Sequence, residues 1–166
     1  MSAGAGQRQA TPGQATLDQA AAVVVHGAVM AAAALAAVPA GRGVRLLSAA
    51  GAAGSLGAAW FLGIVSLAAA THPGVPHWAA LDCGAAPGQA LAALRAGARR
   101  LILDPDCPAF AAVAAAAATV GAELWMARPP ALDLGGLDLR HAGGRRLAEW
   151  LTAAPETAGD SRVTLG

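Results

Sequence analysis

Carboxylates and thiols cluster at two places where apolar runs stop, Leu81-Asp82-Cys83-Gly84 and Leu103-Asp104-Pro105-Asp106-Cys107. Thiolates mixed with carboxylates suit a divalent metal such as zinc, so Asp82, Cys83, Asp104 and Cys107 form a candidate metal or thiol site with Cys83 and Cys107 as the sulfur ligands. A plainer reading competes for the same residues. Asp104-Pro105-Asp106-Cys107-Pro108 also fits a helix start, with Asp106 or Cys107 near the N-cap and proline in the first turn, and cysteine often simply fills core. The second candidate chemistry is anion binding. Ser48, Gly51 and Gly84 fall at segments 51–57 and 83–88, where glycine-rich turns lead into helices with free N–H groups, and Arg128 follows the apolar run Glu123–Ala127. Neither segment holds a phosphate-binding GxxxxGK[ST] or a GxGxxG, so the ligand class stays broad, a small phosphorylated or otherwise anionic molecule.

These residues need strands to hold them at one edge, and the pattern supplies strands. Short apolar runs at Val44–Ser48, Val75–Asp82, Arg99–Asp104 and Glu123–Ala127 alternate with helical stretches at 57–70, 89–96 and 109–120, punctuated by Gly51, Gly74, Gly97 and Gly121. The alternation predicts an α/β fold with a four-stranded, mainly parallel sheet and flanking helices. In such sheets ligands bind beyond the carboxyl ends of the strands, where all the named residues lie. Leu17–Ala37 reads as a first helix, stopped by Pro39-Ala40-Gly41, and a last helix is expected over 144–154. On this reading 1–16 is a disordered tail, 17–154 a single domain and 155–166 a flexible tail.

The middle of the chain resembles the class II fructose-bisphosphate and tagatose-bisphosphate aldolase family over about residues 17–104. The resemblance rests on Leu47-Ser48-Ala49-Ala50-Gly51, the helix around Trp60-Phe61, His72-Pro73-Gly74-Val75-Pro76, Leu81-Asp82-Cys83-Gly84, Ala93-Leu94-Arg95-Ala96-Gly97 and Leu101-Ile102-Leu103-Asp104. It implies a partial, half TIM-barrel scaffold, because a full barrel needs about 200 residues or more. It also makes Asp82 the proton-transfer base of a metal-dependent lyase, with Asp104 as the second catalytic carboxylate. The family's metal-binding histidine is replaced by Cys83, and its later ligands have no counterpart here. The resemblance therefore implies a scaffold used for binding rather than catalysis, the lyase being the alternative.

Composition narrows the remaining classes. Alanine supplies roughly three residues in ten and all eleven basic residues are arginine, a profile of a GC-rich bacterial genome. A net charge of +1 without a basic cluster argues against nucleic acid. Two cysteines outside any CxxC, with no leader pattern at the start, predict a reducing cytoplasm. Segments 19–38 and 46–71 carry no formal charge and are long enough to span a bilayer, so a membrane-anchored hairpin is a third reading, disfavoured by their alanine and glycine content. The four histidines form no motif, and His26 reads as a core or interface residue. Apolar surface left by an incomplete barrel predicts a homodimer.

Overall fold

The computed structural model describes residues 19–153. Within them six strands form one sheet: β1 Ala21–Val24, β2 Val44–Leu47, β3 His77–Asp82, β4 Arg100–Ile102, β5 Glu123–Trp125 and β6 Ala131–Asp133. Helices α1 Ala28–Ala36, α2 Ala52–Ser55, α3 Ala58–Thr71, α4 Pro87–Arg95, α5 Phe110–Thr119 and α6 Ala142–Thr152 connect and follow them. The strand order is β5-β4-β3-β2-β1-β6 and every pairing is parallel.

The α/β class and the parallel sheet agree with the sequence pattern, but the sheet has six strands where four are expected. The first extra strand comes from the predicted helix over 17–37. Val23-Val24-Val25 is a run of β-branched residues, which lose rotamer freedom in a helix and pack well on a buried sheet. The chain therefore runs straight as β1, and the helix starts only after Gly27. The second, β6, lies in the expected linker, where three residues pair with β1.

From β1 to β5 the chain steps one strand at a time in one direction, so right-handed crossovers put the connecting helices on one face. The main core agrees. Val23, Val44, Leu46, Leu81, Leu101 and Leu124 from strands pack with residues of the helices, including Leu35, Phe61, Leu94, Val113, Leu147 and Leu151. The opposite face forms its own buried cluster of strand residues, Ala22, Val24, Leu47, Trp78, Ala80, Ile102 and Trp125.

That second face is concave. Trp125 and Ala131 are joined through 126–130, six Cα steps that reach at most about 22 Å. In a flat sheet the outer strands would stand about 24 Å apart, and the offset between Trp125, level with Asp82, and Ala131, level with Trp78, would stretch the gap to about 27 Å. The sheet must therefore curl. The tryptophans report the same curl: Trp78 on β3 and Trp125 on β5 sit two strands apart, yet their rings meet edge to face with centroids 4.8 Å apart. The guanidinium groups of Arg45 and Arg100 lie 5.6 and 5.0 Å from the Trp78 ring centroid, and Arg100 pairs with Glu123 at 3.3 Å. These contacts let charged side chains share the concave face with indoles.

The two uncharged segments do not make membrane hairpins. Segment 19–38 is divided between β1 and α1, and 46–71 among β2, α2 and α3. No helix among the described residues is long and apolar enough to cross a membrane. The expected tails, 1–16 and 155–166, lie outside the described residues.

Candidate functional site

Adjacent residues of a strand point to opposite faces. Asp82, the last residue of β3, shares the concave side with Trp78 and Ala80, whereas Cys83 turns toward the helices and belongs to the main core. Asp82 is buried, and both its carboxylate oxygens are engaged. Oδ1 accepts the backbone N–H of Gly51 at 2.9 Å and that of Gly84 at 2.8 Å. Oδ2 accepts a close hydrogen bond from the guanidinium of Arg128.

Ser48, at the end of β2, completes the knot. Its hydroxyl accepts the N–H of Asp82 at 2.9 Å and donates to the carbonyl of Ala49 at 3.0 Å. The Ser48 carbonyl accepts a second N–H from Arg128 at 2.9 Å. Arg128 reaches this point because the 126–130 connection must cross from β5 to β6, so the curl of the sheet carries it over the edge where β2 and β3 end. Gly51 and Gly84 both take left-handed conformations, φ 63° and 54°, which aim their N–H groups at one carboxylate without a Cβ penalty. A Cβ on Gly84 would come 3.7 Å from the Gly51 Cα, ordinary contact, so backbone conformation rather than space selects glycine there.

Ser48, Gly51, Asp82, Gly84 and Arg128 are thus brought together. Asp104 is exposed, and its Oδ1 caps a local turn by accepting the N–H of Asp106 at 2.9 Å. Its side chain makes no hydrogen bond to Asp82, though its own N–H donates to the Gly84 carbonyl at 2.8 Å. Cys107 is buried behind that turn. Among the described residues no three His, Cys, Asp or Glu side chains converge as a metal site would require, so the expected grouping of Asp82, Cys83, Asp104 and Cys107 is not assembled. The physical reason is strand alternation for Cys83 and turn capping for Asp104.

Burial first, and the neighbouring Asp82 charge second, push the Cys83 thiol up to about 12. A thiol so shielded does not form the reactive thiolate at neutral pH. With Cys107 also buried, the folded protein is expected to consume no Ellman reagent at pH 8, both thiols reacting only in denaturant. Rapid modification of native Cys83, mapped by mass spectrometry, would contradict that picture.

A second polar pair, absent from the sequence-based candidates, stands at the same edge. His26, two residues beyond β1, bonds through Nε2 to Asp133 Oδ1 at 2.7 Å, and Asp133 ends the adjacent strand β6. The same Asp133 oxygen accepts the N–H of Gly135 at 2.7 Å. A Cβ at Gly135 would lie only 2.9 Å from His26 Nε2, so glycine is required for the imidazole to sit there. Partial burial tends to raise the Asp133 pKa. The Gly135 hydrogen bond, that of His26, and the charges of His26 and Arg128 outweigh it, so the carboxyl lies below its usual value. Side-chain exposures of 38% and 60% leave this pair open to solvent.

A signal for Asp133 was present in the chain. Leu132-Asp133-Leu134-Gly135 repeats the spacing of Leu81-Asp82-Cys83-Gly84, and in both an aspartate at a strand end receives the N–H of the glycine two residues on. The architecture is therefore a curled parallel α/β sheet with an ordered polar cluster at its carboxyl edge. No protein-family model matches the chain, and no curated protein matches it.

Proposed function

We propose that this chain is a non-catalytic binding protein that takes a small anionic ligand, a phosphate ester or a carboxylate, at the carboxyl edge of its sheet. The supporting observation is the state of Arg128. Two of its N–H groups hold Asp82 and Ser48, a guanidinium has five, and 29% of the side chain remains exposed. A pre-oriented arginine with spare donors recognises planar or tetrahedral oxyanions. His26, two residues beyond β1, flanks the same edge as a further polar contact. The scaffold that carries these groups is, on this proposal, an open half-barrel in the manner of the aldolases: the curl of the sheet and the one-sided helices favour it.

The lyase alternative draws less support. A general base needs an oxygen within reach of the substrate proton, and the oxygens of Asp82 are committed to two backbone N–H groups and Arg128. That arrangement suits an anchor that holds Arg128 in place.

Thermal unfolding in the presence of inorganic phosphate, succinate or chloride at matched ionic strength tests the proposal. At a hundredfold excess over Kd a ligand specific to the native state adds about 2.7 kcal/mol, a rise of roughly 5–10 °C for a chain of this size. Phosphate or succinate should raise Tm beyond chloride, and Arg128→Gln should remove the increment. Equal shifts with all three anions, or an increment that persists in Arg128→Gln, would refute the anion site.

A further inference from the structure

Helices α1 and α3 contain no charged residue, and they pack against each other on the outer side of the sheet. A helix of a globular protein normally keeps a polar outer face, and one that is apolar all round is normally covered on all sides. Helix α3 turns Phe61, Val65 and Ala68 into the core. Its other side presents Trp60, Gly63, Leu67 and Ala70, all exposed, with Leu67 61% and Trp60 38% accessible. Those four positions follow the i, i+3, i+7, i+10 spacing of a single stripe. Val29 on α1, 82% exposed, and Leu56 just before α3, 48% exposed, are further large apolar side chains left open to solvent on these elements.

We propose that this panel is a homodimer interface, in which α3 packs antiparallel on α3 of a second copy about a two-fold axis near Gly63. Charge selects the partner. The 36 residues from Leu46 to Leu81 include no Asp, Glu, Lys or Arg, so a partner bearing charges would have to strip water from them without gaining an opposite charge. The panel's own copy imposes no such cost. Shape agrees with the two-fold axis: antiparallel pairing about Gly63 and Ile64 sets Trp60 opposite the second copy's Leu67, while Gly63, whose Cβ position meets nothing within 4 Å, leaves room for the helices to approach. A lipid surface fits less well. Interfacial helices rely on Lys or Arg to meet head groups, and α3 has neither. Its 14 residues are about 21 Å long, and α1 beside it widens the panel to about 20 Å, a footprint of roughly 400 Å². Standard interfaces bury about 800 Å² per partner, so the dimer belongs to the weak, concentration-dependent class.

Sedimentation velocity of the full chain over a roughly hundredfold range centred in the micromolar region reads this out. The wild type is expected to rise from the mass of one chain to that of two. Trp60→Glu and Leu67→Arg should each remain monomeric with wild-type circular dichroism, and Leu67→Ser provides a milder disruption if either is misfolded. An equimolar mixture of Trp60→Glu and Leu67→Arg should restore the dimer, now weakened by salt, because position 60 faces position 67 of the other copy. A wild type that stays monomeric throughout, a dimer indifferent to both substitutions, or a mixture that remains monomeric would each overturn the proposal.

Discussion

Replacing Asp82 with alanine is expected to destabilise the protein by about 3–5 kcal/mol, the cost of leaving one partner of a buried ion pair uncompensated. Three groups lose their acceptor together: the N–H of Gly51, the N–H of Gly84 and the guanidinium of Arg128. Neither glycine N–H has another hydrogen-bond acceptor among the described residues, and each unsatisfied buried donor costs about 1–3 kcal/mol by itself. Arg128 is partly open to water, which holds the total to this range. Urea unfolding gives the comparison directly, since a lower midpoint at constant m reports stability alone.

Two companion variants separate an anchor from a catalyst. Asp82→Asn keeps an oxygen for the glycine N–H groups but turns an amide toward Arg128, and its loss should be roughly half that of alanine. The pair Asp82→Leu with Arg128→Leu removes the orphaned cation and should recover part of the deficit, though not the two glycine donors. A base whose only task is proton transfer would behave otherwise: Asp82→Asn would leave the urea midpoint in place. An unchanged midpoint in both Asp82→Ala and Asp82→Asn would remove Asp82 as the edge's anchor.

The legible and illegible parts of this fold have separate physical causes. Strands β2 to β5 announce themselves because each is a compact apolar run with a glycine-bearing turn at one end: Gly51 follows β2, while Gly74, Gly97 and Gly121 precede β3, β4 and β5, and all four adopt positive φ. Strand β1 was hidden by alanine. Ala20-Ala21-Ala22 and Ala31-Ala32-Ala33-Ala34 flank Val23-Val24-Val25, and the helix propensity of the flanks masks three β-branched residues. His26 then falls in the interior of an expected helix, whereas it stands just past a strand end, bonded to Asp133. Strand β6 is three residues long, follows Pro129-Pro130 and is defined by its partner β1, so nothing local distinguishes it from a loop. The site divides in the same way. Residue type alone groups Asp82 with Cys83, but alternation along β3 separates them, while Arg128 joins Asp82 through a sheet curvature that only long-range pairing creates.

Neighbouring residues of α3 provide the other large effect. Phe61 is 1% exposed, packed among strand and helix residues of the main core, and Phe61→Ala should cost about 3–5 kcal/mol through lost burial and the cavity it leaves. Trp60, one position along, lies outside the main core and is 38% exposed. In dilute solution Trp60→Ala should cost roughly 1–2 kcal/mol, the share of the burial term due to an indole only partly covered by its own chain, and so clearly less than Phe61→Ala. At high concentration the two variants should diverge in a second respect. Dimer formation stabilises the native state by mass action, so the Tm of the wild type and of Phe61→Ala should rise with protein concentration, whereas that of Trp60→Ala should rise less. Calorimetry across the concentration range measures both terms at once. If Trp60→Ala proved as damaging as Phe61→Ala at high dilution, Trp60 would belong to the core of the monomer, and the outward face of α3 would lose its best claim to a partner.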